Sequence, residues 1–163
     1  MAAATTARVF SGIQPTGVPQ LGNYLGSIRN WVQLQGRELE PGRGRHEQFI
    51  SVVNLHALTV PRDPVRLRRE TGEMAASLLA CGIDPMRSVL FRQGAVAEHT
   101  QLMWALACIT PVGWLNRMTQ WKSKQQALAA ADPAAPSQLA GLLTYPVLMA
   151  ADVLLYQATH VPV

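Results

Sequence analysis

Two glycine-containing segments near the N-terminus carry residue types that bind phosphate. Residues 11–17 read Ser-Gly-Ile-Gln-Pro-Thr-Gly after a short apolar segment, and residues 20–26 read Gln-Leu-Gly-Asn-Tyr-Leu-Gly. Glycines after a strand let the backbone approach a flat or anionic ligand, and free N–H groups at the next helix start can bind phosphate. Neither a G-x-x-x-x-G-K-[ST] run nor a G-x-G-x-x-G run follows this strand. We expect a nucleotide site of another design, and a plain strand-to-helix turn is the alternative.

Asp152 is a carboxylate in an apolar helical segment, residues 145–156. A buried carboxylate is costly unless it is well partnered. A salt bridge or backbone hydrogen bonds would satisfy it structurally. Alternatively, Asp152 accepts a hydrogen bond from a ligand N–H group in an apolar pocket, which Met149, one turn earlier, would also face.

The two lysines of the chain, Lys122 and Lys124, stand at the entrance to an Ala-rich segment. Mobile ammonium groups beside a closing loop suit the neutralisation of a triphosphate during nucleotidyl transfer. A solvated surface pair is the simpler alternative.

Histidines give a weaker signal. His56 follows a predicted strand, so we expect it near the carboxyl edge of the sheet, where open α/β folds bind ligands; a supporting role beside such a site is the alternative. His46, His99 and His160 show no spacing to a partner. The local spacing of these residues predicts neither a metal site nor a Ser-His-Asp catalytic triad.

Strand-like and helix-like segments alternate, which predicts an α/β fold with a doubly wound, Rossmann-like parallel sheet that is incomplete at its C-terminus. The predicted strands are 8–12, 48–54, 88–93 and a beginning fourth at 160–163. The predicted helices are 22–35, 64–81 with Asp63 as N-cap, 98–109, a stretch from 111 towards 121, and 142–156 with a bend at Pro146. Residues 36–45 are expected to form a polar loop and residues 123–140 a mobile loop.

Apolar spacings of three and four give two of these helices a face that we expect in the core. In the first helix this face comprises Tyr24, Leu25, Ile28, Trp31, Val32 and Gln35. In the second it comprises Leu67, Thr71, Met74, Ala75, Leu78 and Leu79.

Composition bounds the class of protein. The 163 residues suffice for one domain with a hydrophobic core, and 48% apolar with 15% charged residues argues against disorder. No apolar run reaches the roughly 18 residues of a membrane span. The net charge of +4 is compatible with RNA or nucleotide partners, although a solvated basic face also explains it.

Cys81 and Cys108 lack metal or disulfide spacing, so we expect buried structural thiols in a reducing compartment.

Several segments, taken in order, resemble tryptophanyl-tRNA synthetases, and the resemblance covers essentially the whole chain beyond residue 8. Residues 20–23, Gln-Leu-Gly-Asn, are similar to a divergent form of the HIGH signature of class I aminoacyl-tRNA synthetases. The matching segments are 9–17, 22–26, 56–60 (His-Ala-Leu-Thr-Val), 82–85 (Gly-Ile-Asp-Pro), 117–120 (Arg-Met-Thr-Gln), 141–146 (Gly-Leu-Leu-Thr-Tyr-Pro), 149–156 (Met-Ala-Ala-Asp-Val-Leu-Leu-Tyr) and 161–163 (Val-Pro-Val).

The resemblance implies an N-terminal extension over residues 1–8 and part of a HIGH-type nucleotidyltransferase domain over 9–163. The family activates L-tryptophan with Mg-ATP to tryptophanyl adenylate and then esterifies tRNA(Trp). The resemblance implies these partners, ATP with substrate-bound Mg²⁺, no metal site of the protein itself, no membrane and a homodimer for the full-length enzyme. The expected compartment is the mitochondrial matrix, with the bacterial cytoplasm as the alternative.

The resemblance also implies roles for individual residues. The implied ATP-binding residues are Gln14, Pro15, Thr16, Gln20, Leu21, Gly22 and Asn23. The implied tryptophan-binding residues are Asp152, which would accept the indole N–H, with Phe10, His56, Tyr145, Met149, Val161 and Val163. The implied catalytic residues, which would act on the reacting phosphates, are Gln14, Asn23, Lys122 and Lys124.

The sequence departs from the family pattern at four points. Gln20 occupies the first position of the HIGH-like tetrad, so the imidazole contact is absent. A Gly-Glu-Asp-Gln segment after Val163, a KMSKS-type loop and a helical anticodon-binding domain are not in the sequence, so we expect a fragment that needs the missing half for activity. The alternatives are a tyrosyl-type or other HIGH-type nucleotidyltransferase, and an inactive product that acts at most as a nucleotide-binding or interaction module.

Overall fold

Three parallel strands form the sheet, in the order β1-β2-β3. The computed structural model describes residues 7–35, 46–118, 121–123, 126, 130 and 139–162. The strands are β1 (Arg8–Ile13), β2 (Glu47–Val52) and β3 (Ser88–Arg92). Phe10 pairs with Phe49, and Phe49 with Val89. The predicted parallel α/β arrangement is therefore confirmed.

Helices connect the strands, as parallel pairing requires. The first helix, α1, runs through three consecutive segments: α-helical Leu21–Asn23, π-helical Tyr24–Ile28 and α-helical Arg29–Leu34. The others are α2 (Asn54–Ala57), α3 (Pro64–Ala80), a 3₁₀ turn (Gln93–Ala95), α4 (Glu98–Ile109), α5 (Val112–Arg117) and α6 (Ala140–Leu155).

Local sequence signals explain several of these boundaries. Asp63 caps α3, because its Oδ1 accepts a hydrogen bond of 2.7 Å from the Arg66 N–H. Pro64 fills the first helical position, where no N–H is needed. The bounds of α4 are those predicted. Pro146 lies inside α6, and the bend expected there stays a prediction.

After α6 the chain returns to the edge of β1 that β2 does not occupy. The Phe10 N–H donates to the His160 carbonyl at 3.0 Å, and the His160 N–H donates to the Arg8 carbonyl at 3.0 Å. The fourth strand expected at 160–163 appears within the described residues as a single parallel bridge between Val9 and His160, and Val163 lies outside them. Strand order thus reverses beside β1, as in doubly wound sheets.

The core lies between the sheet and helices α1 and α3. Its buried members are Ile28, Trp31, Ile50, Val52, Met74, Leu78 and Ile83. Leu79 is 45% exposed, contrary to prediction, because it lies about 100° around α3 from the buried Leu78. Tyr24 and Leu25 are also exposed, contrary to prediction. Both lie in the π-helical segment, where the wider turn breaks the 3.6-residue spacing.

The expectation that both cysteines are buried is wrong, and the reducing compartment expected for them stays a prediction. Cys108 is exposed and Cys81 is only partly buried, because the thiols lie at the solvent side of α4 and just past the end of α3. Among the helices that the structure describes, none is long and apolar enough to cross a lipid bilayer.

Some expectations lie outside the described residues. These are the polar loop at 36–45 and most of the mobile loop at 123–140. The division at residue 8 stays a prediction, although Arg8 itself begins β1.

Removal of a core side chain tests the packing of α3. Leu78→Ala should lower the free energy of unfolding by about 2–5 kcal/mol, since Leu78 is fully buried and a cavity would remain. Leu79→Ala, one residue further along the same helix, should cost about 1 kcal/mol or less because Leu79 is half exposed. Chemical denaturation of both variants measures the two changes, and equal losses would contradict the described orientation of α3.

Candidate functional site

A cavity of about 390 Å³ opens where β1 meets the segment that follows α6. This volume falls within the range of small-molecule sites, about 300–1,000 Å³. Its position is the point at which strand order reverses, where doubly wound folds bind ligands. The lining residues are Phe10, Ser11, Gly12, Gln14, Ser27, Trp31, Val53, His56, Tyr145, Met149, Asp152, Val153, Val161 and Pro162.

Asp152 provides a buried carboxylate in the wall of this cavity, with 2% of its surface exposed. Its Oδ2 lies 2.8 Å from Nε2 of His56, and its Oδ1 lies 2.6 Å from Nδ1 of His99. The Gln93 side-chain amide donates to both oxygens, at 2.9 Å and 2.8 Å. Three donor nitrogens from three different elements therefore hold this carboxylate.

The hydrogen bonds decide the charge of Asp152. Burial raises the pKa of its carboxyl group. The hydrogen bonds from His56, His99 and Gln93, together with the charge interaction of His56, lower this pKa by more than burial raises it. The net pKa of Asp152 lies below its ordinary value, so the group is an anion at neutral pH. The cavity thus contains a fixed hydrogen-bond acceptor.

Aromatic rings pack around Tyr156, which contacts the Asp152 cluster through His99. The Tyr156 ring lies 5.5 Å from the Phe10 ring, 4.8 Å from Phe49 and 5.4 Å from Phe91, centroid to centroid. Its hydroxyl lies 3.0 Å from Nε2 of His99. Burial, followed by the charges of Asp152 and Glu98, raises the pKa of Tyr156, so its hydroxyl keeps its proton and can donate it in a hydrogen bond.

Close approach explains the glycine at position 12. A Cβ atom there would lie 2.9 Å from Cγ1 of Val53, so a larger residue would require the Val53 side chain or its backbone to shift. The following loop turns tightly, because the Thr16 N–H donates to the Gln14 carbonyl at 3.0 Å. Gly17 has a φ of +94°, which favours glycine.

The predicted ATP-binding residues divide into two groups. Gln14 lines the cavity, and Pro15 and Thr16 continue the same loop. Gln20, Leu21, Gly22 and Asn23 lie exposed at the start of α1 and do not line the cavity. The Asn23 Oδ1 accepts from the Gln20 N–H at 3.0 Å, so its amide oxygen caps the helix and its Nδ2 is the group that can donate to a ligand.

The predicted lysines are not part of the cavity that the described residues form. Lys122 is exposed, and Lys124 lies outside the described residues. Their catalytic role stays a prediction.

The tryptophan-binding residues expected from the sequence come together, apart from Val163, which lies outside the described residues. The six that the structure describes all line this cavity: Phe10, His56, Tyr145, Met149, Asp152 and Val161. Their role in binding stays a prediction.

Sequence reasoning missed Gln93, His99 and Tyr156 as partners of this site. Local sequence spacing indicates no partner for His99, because its partner Asp152 lies 53 residues later in the sequence. Gln93 follows β3 directly, so the carboxyl-edge rule that selected His56 could have selected it too. Ser11, also missed, is buried in the cavity wall, and its Oγ has no hydrogen-bond partner among the described residues.

Metal ligation finds no support in the residues that the structure describes, since they contain no group of three or more His, Cys, Asp or Glu side chains that could hold an ion.

The lowered pKa of Asp152 predicts a pH-dependent contribution to stability. A folded-state pKa below the unfolded value of about 3.9 stabilises the fold above about pH 4, and this stabilisation is lost as the pH falls through the folded pKa. Asp152→Asn would place an amide donor against the donors of His56 or His99, so at pH 7 it should be less stable by about 1–3 kcal/mol. Urea unfolding of both proteins from pH 7 to pH 3 should show the difference narrowing below about pH 4, whereas a constant difference would contradict the ionised state.

Comparison with known proteins places the chain in a family. The sequence model of the family described as tRNA synthetases class I (W and Y) matches residues 2–163. The chain is 53% identical to the mitochondrial tryptophan–tRNA ligase of Schizosaccharomyces pombe, over 96% of this chain and 45% of that protein. It is 53% identical to the tryptophan–tRNA ligase of Parasynechococcus marenigrum, over 96% of this chain and 42% of that protein.

A solved structure supports the same family assignment. The tryptophanyl-tRNA synthetase of Campylobacter jejuni, complexed with ADP and tryptophan, matches with a TM-score of 0.80 and 36% identity, over 96% of this chain and 44% of that chain. This likeness confirms the Rossmann-like α/β fold. The chain spans less than half the length of the curated relatives it matches. It belongs to the class I tRNA synthetases of the tryptophan and tyrosine family, and it corresponds to the N-terminal portion of a tryptophanyl-tRNA synthetase.

Proposed function

We propose that this chain provides the tryptophan site and the first nucleotide-binding loop of a tryptophan–tRNA ligase. The observation that carries the proposal is the buried, ionised Asp152 in the wall of a largely apolar cavity where strand order reverses. The proposal draws support from the Campylobacter jejuni relative, which is complexed with ADP and tryptophan.

Asp152 suits recognition of an indole N–H. A carboxylate oxygen can accept more than one hydrogen bond, and three donor nitrogens among the described residues already contact the two oxygens of Asp152. An indole N–H entering the cavity would share one of these oxygens with them. An amino acid such as phenylalanine, which lacks that donor, would bury the carboxylate without the bond and would be rejected more strongly than by apolar fit alone.

The rest of the cavity suits the two ends of tryptophan. Phe10, Met149 and Val161 offer apolar surface to an indole ring. Ser11 Oγ, which lacks a hydrogen-bond partner among the described residues, and Gln14 offer polar groups in the same cavity. Gln14 also begins the loop that leads to α1, so it would lie between amino acid and nucleotide.

ATP would bind along the loop at 14–20 and the start of α1. Backbone N–H groups and the Asn23 Nδ2 group would contact the phosphates, and Lys122 with Lys124 would neutralise the triphosphate. Mg²⁺ would arrive bound to ATP and lower the charge repulsion between phosphates. The carboxylate of tryptophan would attack the α-phosphate in line and release pyrophosphate, without a covalent enzyme intermediate.

The completed enzyme would then transfer the tryptophanyl group to tRNA(Trp). We propose a homodimer for that enzyme and the mitochondrial matrix as its compartment. The compartment rests on the Arg- and Ala-rich character of the sequence and on similarity to the mitochondrial relative of Schizosaccharomyces pombe.

Tryptophan-dependent exchange between ATP and pyrophosphate tests the proposed function. The assay compares this chain with a chimaera in which the part of the Schizosaccharomyces pombe relative beyond the matched segment follows Val163. We expect exchange with tryptophan in the chimaera and little in this chain, since the residues that complete the nucleotide site would come from the added part. Exchange with tyrosine instead would favour a tyrosyl-type enzyme, and exchange with no amino acid would favour an interaction module.

Asp152→Ala tests the amino-acid specificity. In the chimaera it should lower kcat/KM for tryptophan by about 10- to 100-fold, because a hydrogen bond to a charged group is lost, while the KM for ATP stays within about twofold. Glu73→Ala serves as a control, since Glu73 pairs with Arg69 on the exposed face of α3. Unchanged tryptophan kinetics in a folded Asp152→Ala protein would remove Asp152 from the site.

A further inference from the structure

His99 has both ring nitrogens engaged inside the protein. It is 0% exposed, with Nδ1 at 2.6 Å from Oδ1 of Asp152 and Nε2 at 3.0 Å from the Tyr156 hydroxyl. Asp152 and His56 line the cavity, whereas His99, Gln93 and Tyr156 are not among its lining residues. His99 therefore contacts the carboxylate from behind the cavity wall.

The partners of His99 fix its tautomer. When the Tyr156 O–H donates to Nε2 of a neutral imidazole, that nitrogen has no hydrogen, so Nδ1 carries it and donates to Asp152. The hydrogen bonds then run in one direction, from Tyr156 through His99 to Asp152. The Tyr156 ring, packed against Phe10 and Phe49, anchors this series in the aromatic core.

The other two donors do not fix the carboxylate in the same way. Gln93 Nε2 lies almost equally far from both oxygens, at 2.9 Å and 2.8 Å, so it does not distinguish one oxygen from the other. His56 contacts Oδ2 but also lines the cavity, where a ligand can compete for it. His99 contacts Oδ1 alone, at 2.6 Å, and it does not line the cavity.

We propose that His99, oriented by Tyr156, is a positioning residue that fixes the rotation of the Asp152 carboxylate, so that the oxygen offered to a ligand in the cavity keeps one direction. This inference rests on the proposed function, because it gives His99 a role in recognising the indole N–H. A carboxylate free to rotate would still be charged and buried, but its oxygen would no longer point toward the N–H group of the ligand. The consequence is a loss of discrimination between ligands with and without that N–H.

The test compares two substrates in ATP–pyrophosphate exchange with the chimaera: L-tryptophan and 3-benzothienyl-L-alanine, in which sulfur replaces the indole N–H. The readout is the ratio of kcat/KM for the two. His99→Leu should lower the ratio by about tenfold, which corresponds to one lost orienting hydrogen bond to a charged group. His99→Asn, whose side-chain amide can donate from nearly the position of Nδ1, should restore most of the ratio.

A milder variant covers the case in which His99→Leu fails to fold. Tyr156→Phe keeps the ring packed among Phe10, Phe49 and Phe91 and removes only the hydroxyl that orients His99. It should lower the ratio by about two- to fivefold. Leu142→Ala serves as the matched control on α6, since Leu142 is buried and does not contact the carboxylate; it should reduce stability and leave the ratio unchanged.

The outcomes separate the inference from the proposed function. Active protein with an unchanged ratio in both Tyr156→Phe and His99→Leu, or in Tyr156→Phe alone if the other variant does not fold, would overturn the positioning role. A fall in the ratio that Leu142→Ala reproduces would overturn it as well. If the unmodified chimaera exchanges with neither substrate, the proposed function fails, and the role of His99 in substrate recognition fails with it.

Discussion

The burial of one ionised carboxylate governs how the elements around the cavity are arranged. Asp152 on α6 is held by His56 of α2, by Gln93 at the end of β3 and by His99 of α4. An uncompensated charge at this depth would be strongly destabilising, so each of these elements must stand where its donor reaches the carboxylate. The same requirement keeps α4 packed against α6. The packing of these elements and the charged group in the cavity wall therefore depend on a single set of hydrogen bonds.

The second constraint is the return of the chain to β1. The backbone bonds between Arg8, Phe10 and His160 put Val161 and Pro162 opposite the carboxyl end of β1. This arrangement closes the cavity on the side that β2 does not cover. The absence of a side chain at Gly12 lets Val53 approach β1 from the other side. The cavity is thus a product of strand order, and its shape follows from where the chain crosses the sheet.

The sequence predicts most of the fold because the signals are local. The Asp63 cap, the bounds of α4 and the buried strands depend on neighbouring residues, and Asp152 is conspicuous because a charge interrupts an apolar helix. Three features are not predictable in this way. The partners of Asp152 lie 53 to 96 residues away, the π-helical segment shifts the faces of Tyr24 and Leu25, and Leu79 shares the apolar character of its buried neighbour. Each of these depends on tertiary contacts.

The pairing of the first strand with residue 160 affects how the protein folds while it is being synthesised. The Arg8 N–H donates to Thr159 Oγ1 across 151 residues of sequence, so β1 leaves the ribosome long before its second neighbour exists. During that interval one edge of an apolar strand has no permanent partner, and such an edge is a template for pairing with another chain. Contacts of high sequence separation also slow folding. A nascent chain of this kind exposes that edge of its first strand until residues 159 and 160 have been synthesised.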